Sequence, residues 1–443
     1  MAVEVASEVE AFLGRQTLQD LDLGALEVAV RQQVLVLAGR LLQRRLNEDL
    51  SDDQGPQMDC RCGGRAHYAG RREKTFHSVL GPLRLSRAYY HCAGCGHGFF
   101  PRDSAWGLQD SSLSPAVQRM TGLVGALVSF QEGSLLLKEL AAVQLPAKRV
   151  ERCAEALGAE VAADEKQHPE PMDQTPLPAT LYLSMDGTGI PMRRSELLGR
   201  AGKQADGSAK TREVKVCAIW SAESQDAQGR PVRDEGSVTY SAAIESAAMR
   251  DTDEQRSEFT DRVLREVTRR RFTQATRTAA VADLAPWIWN TTRELLPRTT
   301  QIADRFHVKE HLSTLAKSLY PANLPHAQAW TQRRYEELDS GRFADLLRAV
   351  RRHADRSEEA RKCFQYLHHN RERMRYPKFE AEGLCTSSGV IEAGCKVVVG
   401  TRLKRAGMHW TVQGANAILA LRCSILSGRF QDFWERRSER KAA

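Results

Sequence analysis

The chain has 443 residues, 42% of them hydrophobic and 27% charged, which excludes disordered and fibrous proteins and predicts two or three folded domains. No apolar run is long enough to span a bilayer and the N-terminus lacks the pattern of a signal peptide, so we expect a cytoplasmic protein that binds no membrane. The net charge of +8 is concentrated in residues 60–103 and 401–443, which favours a polyanionic partner such as nucleic acid; a solvated basic surface is the alternative.

The N-terminal part of the chain has a helical pattern. Apolar residues recur at roughly helical spacing over residues 18–48, beginning with Leu18 and Leu21, so residues 1–55 are predicted to form a helical segment. The polar sequence of residues 51–56, which ends in Gly-Pro, predicts a linker at its end.

Four of the ten cysteines stand in two pairs, Cys60 with Cys62 and Cys92 with Cys95. A cytoplasmic chain keeps its cysteines reduced, and two such pairs offer the four thiolates of a tetrahedral zinc site. Residues 56–104 are therefore predicted to form a zinc-ribbon-like basic module that holds a structural Zn²⁺. Four buried cysteines without a metal are the alternative.

The sequence between the cysteine pairs predicts a β-hairpin. Apolar and polar residues alternate on either side of Gly81-Pro82, which predicts strands over residues 76–80 and 83–90 joined by a turn at that dipeptide. The many cations of the module predict a phosphate-facing surface, to which Arg71 and Arg72 are assigned. Because the first pair is Cys-x-Cys, one ligand can instead come from a histidine, with three candidates: His67, His91 and His97.

A second helical segment is predicted over residues 105–167. It breaks at Glu132-Gly133 and again after residue 143, and helices over residues 134–143 and 148–165 resemble a helix-turn-helix that would bind DNA. Two packed helices without a DNA role are the alternative. The proline-rich residues 168–179 then predict a stiff linker and the main domain boundary.

From residue 180 onwards, short apolar runs alternate with helical patterns. Five strands are predicted over residues 181–185, 214–220, 238–244, 279–282 and 301–303, with helices over residues 254–270 and 286–296. This element order is that of an RNase-H-like α/β fold with a mixed sheet, predicted here over residues 180–310. An all-helical insertion is predicted over residues 311–380, before a last segment over residues 381–443 that carries a helix and a basic tail.

Two aspartates, Asp186 and Asp283, directly follow predicted strands of this sheet. They would be held at its edge with their oxygens free, where carboxylates can share Mg²⁺ or Mn²⁺ ions for phosphodiester chemistry. Glu392, in a helix predicted over residues 387–399, is our candidate for the third carboxylate. Each has an ordinary alternative: a turn aspartate at 186, a helix cap at 283, and an ion pair between Glu392 and Lys396.

The sequence Asp304-Arg305-Phe306-His307 follows the last predicted strand. Asp304 is suited to cap a helix that has His307 in its first turn. A lone histidine is more often structural than catalytic.

Four ordered blocks of the sequence resemble those of a known family. The first three are Leu181–Thr188, Val281–Trp289 and Asp304–His307. The fourth begins at Ile391-Glu392 and continues through Arg402–Lys404 to Gly407–Trp410. Together with the ribbon sequence that ends at Cys95–Pro101, they resemble the signature blocks of bacterial insertion-sequence transposases of the Kra-four family, which share features with the Mutator superfamily. The resemblance extends from about residue 58 to residue 435.

The resemblance implies a DDE transposase with an RNase-H-like catalytic core, bacterial and associated with the nucleoid. Asp186, Asp283 and Glu392 match the three metal-binding carboxylates of that family. Asp304 and His307 match an accessory motif near the active site, and we do not count them among the metal ligands.

The reaction implied is Mg²⁺-dependent cleavage at the ends of the element, followed by attack of the freed 3′-hydroxyl on target DNA. The expected partners are double-stranded DNA, as terminal inverted repeats and as target, and at least a second copy of the chain, because two DNA ends have to be held together. DNA contacts are assigned to four cations near Glu392 as well: Lys396, Arg402, Lys404 and Arg405.

Two alternatives from other classes remain open. A zinc-ribbon DNA-binding regulator with an inactive RNase-H-like domain would bind DNA without cutting it. An RNA-processing nuclease would cut hybrids or RNA in preference to terminal repeats.

Overall fold

The chain divides into two compact units, Met1–Leu157 with Phe430–Ala443, and Gly158–Arg429. The computed structural model describes Ser7, Glu10, Ala11 and Gly14, and residues 22–109, 111–169, 176–202, 204, 207–247 and 256–442. Leu18, Leu21, the central part of the predicted 168–179 linker and the start of the helix predicted from Glu254 lie outside the described residues. Within the described part, no helix is both long and apolar enough to cross a membrane.

The first unit contains a four-stranded antiparallel sheet. Its strands are β1 (Gln57–Asp59), β2 (Arg65–Ser78), β3 (Gly81–His91) and β4 (Gly98–Phe99), and they lie side by side in that order. Phe76, Leu83 and Leu85 on one face of the β2–β3 hairpin are buried, which is the alternation that predicted the strands. The predicted hairpin is confirmed, and both of its strands are longer than predicted.

The hairpin turns at Val79-Leu80, so the turn predicted at Gly81-Pro82 is placed too late. Ser78 closes the turn: its hydroxyl accepts the N–H of Leu80 at 3.1 Å and donates to the carbonyl of Gly81 at 2.8 Å. Gly81 begins β3 with a φ of 98°, a conformation that glycine adopts without strain.

The linker predicted over residues 51–56 packs against this sheet. Asp52 is only 5% exposed, and its carboxylate accepts the N–H of Ala88 at 2.8 Å and Nη1 of Arg71 at 2.9 Å. Nη2 of Arg102 lies 3.3 Å away. A buried carboxylate held by two arginines fixes the chain at this point, so the segment is not a free linker.

Helices make up the rest of the first unit. They are α1 (Leu23–Glu48), α2 (Pro101–Ala105), α3 (Pro115–Leu127), α4 (Phe130–Ala141), α5 (Ala147–Gln167) and the C-terminal helix (Phe430–Ala442). The limit between the two units falls within α5. The break predicted at Glu132-Gly133 is wrong, because Ser129 caps α4 and Glu132 completes a capping box in its first turn.

The second unit is built on a five-stranded mixed sheet. Its strands are β5 (Thr180–Pro191), β6 (Thr211–Ser221), β7 (Ser224–Gln225), β8 (Pro231–Val232), β9 (Thr239–Ala243), β10 (Arg277–Ala282) and β11 (Thr300–Ala303). The order across the sheet is β11-β10-β5-β6-β9, and β7 with β8 forms a separate hairpin that the sequence did not predict. β5, β10 and β11 are parallel, whereas β6 is antiparallel to both of its neighbours. The five predicted strands are confirmed.

The central strand β5 is apolar on both faces because both faces are covered. Leu181, Leu183 and Met185 pack against α6 (Glu258–Arg269) and α7 (Pro286–Leu295). Tyr182, on the other face, accepts the N–H of Cys385 at 3.2 Å through its hydroxyl.

An all-helical region follows β11, as predicted. Its helices are α8 (Arg305–Leu319), α9 (Leu324–Asp339), α10 (Phe343–Ala354), α11 (Glu358–Asn370) and α12 (Tyr376–Ala381). The chain then forms α13 (Gly389–Gly394), a π-helical turn (Cys395–Gly400), α14 (Thr401–Leu403) and α15 (Val412–Leu426). α15 covers the edge strand β9, and Asn416 accepts the N–H of Ile244 at 2.8 Å, which protects an exposed strand edge.

Candidate active site

Three aspartates stand level with one another at one edge of the five-stranded sheet. The parallel pairing of β5 with β10 and of β10 with β11, continued past the last paired residues, sets Asp283 beside Asp186 on one side and beside Asp304 on the other. The carboxyl ends of parallel strands meet at the same edge of a sheet, so the three residues lie at that edge. Asp283 interacts electrostatically with both of its neighbours.

Asp186 lies inside β5 and not after its end, contrary to the prediction. β5 continues to Pro191 along β6, whereas its parallel pairing with β10 stops at Leu183. The half-buried Asp186 therefore lies just beyond the point where β5 stops pairing with β10 and remains paired with β6 alone. Its Oδ1 accepts the N–H of Gly187 at 2.6 Å, and the thiol of Cys395 donates to its Oδ2 at 3.3 Å. Burial raises the pKa of that thiol, so Cys395 remains a neutral donor.

Asp283 follows β10, as predicted. Its Oδ1 accepts the N–H of Ala285 at 3.0 Å, which closes an Asx turn. The helix-cap alternative does not hold, because the N-cap of α7 is Ala285. Burial raises the pKa of Asp283, and although the Ala285 N–H opposes the shift, the charge of Asp186 adds to it. A buried carboxylate beside other carboxylates is stabilised by a bound cation.

Asp304 is the most buried of the three, at 1% exposure, and it caps α8 as the sequence suggested. Its Oδ1 accepts the N–H of His307 at 2.8 Å, and its Oδ2 accepts the N–H of Ser388. Burial would raise the pKa of Asp304, but the hydrogen bonds from His307 and Ser388 outweigh burial and lower it.

His307 lies between two carboxylates. Its Nδ1 is 3.3 Å from Asp304 and 3.8 Å from Glu392, and it is a buried atom without a hydrogen bond of good geometry. The Asp304 carboxylate raises the pKa of His307 to about 9. The imidazole is therefore a cation at neutral pH and attracts the Glu392 carboxylate.

Glu392 lies on α13, at the end of the sheet. Its side chain is 40% exposed, and Cys395, one turn later, contacts Asp186. The helix becomes π-helical from Cys395 to Gly400, a form that is rare and concentrates at functional sites. Glu392 and Lys396 form no ion pair in the part of the chain that the structure describes, so the salt-bridge alternative has no support.

Among the described residues, the three predicted carboxylates are not found in one tight group. Ligand atoms of Asp304, His307 and Glu392 lie within 4.8 Å of one another, and among the described residues Asp186 and Asp283 do not join Glu392 in so tight a group. Sequence reasoning found all five residues but missed that Asp304 and His307 are the direct neighbours of Glu392. The available signal was that Asp304 follows its strand in the same way as Asp283.

The four cations assigned near Glu392 differ in their surroundings. Lys396 and Lys404 are exposed, and Lys404 donates to the hydroxyl of Thr188, close in sequence to Asp186. Arg402 is fully buried, with its guanidinium 5.1 Å from the centre of the Trp410 ring. Arg402 therefore supports the fold here and does not present its charge to DNA. Arg405 is half-buried.

The two arginines assigned on the ribbon also differ. Arg71 is bound to Asp52 and donates to the carbonyl of Ser86 at 2.7 Å, so its charge is used internally. Arg72 is exposed and lies 3.6 Å from the centre of the Tyr89 ring. Of the two guanidinium groups, that of Arg72 is accessible for binding a phosphate.

Four cysteine sulfurs meet at one end of the first sheet. Sγ of Cys60 is 3.6 Å from that of Cys95, Sγ of Cys62 is 3.8 Å from that of Cys92, and all four lie within 4.8 Å of one another. Four sulfurs bound tetrahedrally to zinc at about 2.3 Å stand about 3.8 Å apart, so the arrangement fits Zn²⁺.

The histidines offered as alternative ligands are not in this sulfur group within the described residues. The Cys-x-Cys spacing is accommodated by Gly63, which has a φ of 82°, and the second pair is followed by Gly96 with a φ of 70°. The N–H of Gly64 lowers the pKa of the Cys62 thiol to about 7. The N–H of His97 acts in the same direction on Cys95, but hydrogen bonds with Cys62 and Cys60 outweigh it and raise the pKa of Cys95 to about 12, so the thiols titrate as one group.

No curated protein matches the chain in sequence. The solved structure of a Drosophila P element transposase strand transfer complex matches with 10% sequence identity and a TM-score of 0.26, over 76% of this chain and 84% of that chain. A score this low does not establish a common fold.

A family model gives the broadest match. It is described as Uncharacterised protein family (UPF0236), it matches residues 19–439, and membership of the Kra-four family is not confirmed by it. Because the match covers nearly the whole length, the chain belongs to the uncharacterised protein family UPF0236.

Proposed function

We propose that the chain is a DNA transposase of the DDE type, in which Asp186, Asp283 and Glu392 hold divalent metal ions at the edge of an RNase-H-like sheet. The observation that supports the proposal is the parallel register of β5 and β10: continued three residues past its last pair, Leu183 with Ala280, it brings Asp283 level with Asp186. Cys395, just after the helix that carries Glu392, contacts Asp186. The mixed sheet, with its order β11-β10-β5-β6-β9, supports the RNase-H-like assignment made from the element order.

The residues fit Mg²⁺ or Mn²⁺, which prefer carboxylate oxygens. When bound, such ions stabilise developing charge on a phosphodiester and favour formation of the attacking oxyanion. Asp186 and Asp283 are oriented on the rigid sheet by the N–H groups of Gly187 and Ala285. Glu392 lies 3.8 Å from Nδ1 of His307, which would help to orient its carboxylate toward the site.

The proposed reaction has two phosphoryl transfers. Water attacks the phosphorus at the element's end and the 3′-oxygen leaves with a proton, which gives a 3′-hydroxyl and a 5′-phosphate. That hydroxyl then attacks a target phosphodiester and displaces its 3′-oxygen. Each step exchanges one P–O bond for another and needs no covalent enzyme intermediate.

The exposed cations would position the DNA. Lys404, which donates to Thr188 two residues after Asp186, and Lys396, four residues after Glu392, would neutralise phosphates next to the cleaved bond. Arg72 on the ribbon and the helix pair α4–α5 would bind the terminal repeat. Two ends have to be joined, so we propose that at least two copies of the chain assemble on DNA.

We propose a structural Zn²⁺ bound by Cys60, Cys62, Cys92 and Cys95. Support comes from the two sulfur–sulfur distances of 3.6 and 3.8 Å and from the grouping of all four sulfurs within 4.8 Å of one another. Bound zinc would hold the ends of β2 and β3 together and so keep the cations of the ribbon in place.

A cleavage assay tests the proposed function. An end-labelled duplex made from the DNA that flanks the coding sequence is incubated with the protein in Mg²⁺ or in EDTA. We expect cleavage in Mg²⁺ only, and a loss of about a thousandfold or more in Asp186→Asn, because the ligand charge is removed while the shape is kept. Asp261→Asn, on the first turn of α6, is the matched control and should cleave normally.

Other outcomes favour the alternatives. Cleavage that persists in Asp186→Asn would exclude this site. Tight binding without cleavage in any lane would favour the DNA-binding regulator, and faster cleavage of an RNA–DNA hybrid than of the duplex would favour the RNA-processing nuclease.

A further inference from the structure

Asp304 occupies the point where β11, α8 and the segment leading to Glu392 meet. Its own N–H donates to the carbonyl of Ala282 at 2.8 Å, which extends the pairing of β10 with β11 by one residue. Its side chain is buried. The main chain of Asp304 is therefore fixed relative to the sheet, and its carboxylate is enclosed by the surrounding protein.

The two oxygens of this carboxylate serve two different elements. Oδ1 accepts the N–H of His307 in the first turn of α8, and Oδ2 accepts the N–H of Ser388. Ser388 is the N-cap of α13, so this bond ties the start of the Glu392 helix to the sheet edge. A second bond acts in parallel, because the N–H of Arg305 donates to the carbonyl of Thr386 at 3.0 Å.

The bond from the Ser388 N–H to the Asp304 carboxylate joins two residues that are far apart in the sequence. Ser388 is separated from Asp304 by the whole helical insertion, and Ser388 is itself only 1% exposed. Without the carboxylate, its N–H would be a buried donor with no acceptor of equal strength, and a charged acceptor is worth more than a neutral one. The insertion would then be closed onto the sheet less firmly at this point, because the bond from the Arg305 N–H to the Thr386 carbonyl would act without the carboxylate.

We propose that Asp304 is the positioning residue of the site: it clamps the start of α13 to the sheet edge and, through His307, sets the direction of the Glu392 carboxylate. The inference rests on the proposed function in that Glu392 is taken as a metal ligand. Asp304 also lies within 4.8 Å of His307 and Glu392, but both of its oxygens already accept main-chain N–H groups, which is the pattern of a residue that orients a ligand.

Binding of Mn²⁺ alone, measured by calorimetry, separates positioning from ligation. Asp304→Asn keeps the shape but replaces one acceptor oxygen with an NH₂ group, and we expect it to weaken Mn²⁺ binding about 10- to 100-fold. In a Glu392→Gln background the same change should have little further effect, because Asp304 acts through Glu392. A further tenfold loss in that background would make Asp304 a ligand and overturn the proposal.

Hydrogen exchange tests the clamp independently of metal and DNA. Asp304→Asn should speed exchange of the main-chain N–H groups of residues 388–394 at least tenfold, and Ser388→Ala, which keeps its N–H but loses its hydroxyl, should do so less. Unchanged exchange there in both variants would refute the clamp. If instead the wild type binds no Mn²⁺ and cuts no DNA while the exchange result stands, the proposed function fails and the clamp does not.

The chain offers a matched control. Asp164 is also 1% exposed and lies 3.4 Å from a histidine, His168, at i+4. Asp164→Asn removes an equally buried carboxylate from the same unit, and it should leave Mn²⁺ affinity and the exchange of residues 388–394 unchanged.

Discussion

Single residues in this protein take their role from their surroundings more than from their charge. Arg402 and Lys404 are two residues apart, and the sequence assigned both to DNA. Arg402 is fully buried beside Trp410, whereas Lys404 is exposed and close to Thr188. A guanidinium that is buried on an aromatic ring contributes packing and hydrogen bonds, so only the lysine remains available to a phosphate.

The two side chains should therefore give opposite mutant phenotypes. Lys404→Ala should weaken binding to any duplex and reduce the salt slope of binding by about 1, with no change in melting temperature. Arg402→Met should lower the free energy of unfolding by about 1–3 kcal/mol and leave the salt slope as in the wild type. Fluorescence anisotropy at several salt concentrations and thermal melting measure both. A reduced salt slope in Arg402→Met would contradict the assignment.

At the level of elements, we expect the sheet of the first unit to depend on the four cysteines at its end. The hydrophobic cluster next to the two cysteine pairs is small and is formed around Ala66, Ala88 and Tyr90. Small modules of this kind need a further source of stability. A metal that joins both ends of the hairpin would supply it.

We expect one zinc ion per chain, measured by mass spectrometry of the purified protein. Cys92→Ser, or a strong chelator, should remove the zinc and expose the strands β2 and β3 to proteolysis, because folding of a small metal module is coupled to metal binding. Cys153→Ser, outside the cluster, is the control and should retain the metal. Full zinc occupancy in Cys92→Ser would show that the metal is elsewhere.

A buried charge network joins helices of the second unit. Glu266 on α6 is fully buried and lies 3.1 Å from Arg429 and 2.9 Å from Arg269, and Arg429 is also 3.2 Å from Glu165 on α5. Burial alone would raise the pKa of Glu266, but Arg429 and Arg269 lower it below its ordinary value. A carboxylate whose pKa is depressed on folding stabilises the folded state above its unfolded pKa, and this stabilisation is lost as the pH falls through the folded pKa.

The wild type should therefore lose stability as the pH falls below about 4.5, which is the pKa of this glutamate in the unfolded chain. Glu266→Gln should be less stable than the wild type at neutral pH by about 3–5 kcal/mol, because Arg269 loses its carboxylate partner and Arg429 loses one of its two. The difference in the free energy of unfolding between the two proteins should become smaller at acidic pH. Urea unfolding at a series of pH values measures this, with the exposed Glu258→Gln on the same helix as the control. A gap that stays constant down to pH 3 would rule out this role for Glu266.

For the molecule as a whole, the order of the chain and the division into units do not coincide. The chain leaves the first unit within α5 and returns to it at Phe430. The C-terminal helix is basic, but Phe433 is only 2% exposed and Arg437 donates to Gln118 on α3 at 2.7 Å. One face of the tail is therefore part of the core of the first unit, and the tail is more than a charged extension.

Phe433→Ala should lower the free energy of unfolding of the first unit by about 3–5 kcal/mol, since it leaves a cavity in a packed core. Circular dichroism during chemical unfolding gives the change, and hydrogen exchange should locate it in α3. Glu439→Ala, on the exposed side of the same helix, should have no effect. If Phe433→Ala weakened only DNA binding, the tail would be a separate appendage.

Several elements were predictable because the forces that form them act between residues close in sequence. The alternation in β2 and β3, the apolar strands β5, β6 and β10, and the cap at Asp304 follow from periodicity and local hydrogen bonding. The same local reasoning failed at Gly81-Pro82 and Glu132-Gly133. In both places a serine hydroxyl nearby, on Ser78 and on Ser129, decides where the turn or helix begins.

By itself, the sequence determined most of the strands and helices and the candidate metal ligands, since each depends on neighbouring residues or on residue chemistry. Only the tertiary structure decided that Asp186, Asp283 and Asp304 stand level, that Ser388 binds Asp304, and that Arg71 and Arg402 are not free for DNA. These features join residues far apart in the chain. Strand register and side-chain burial fix them, and both are set by packing of the whole unit and not by any local pattern.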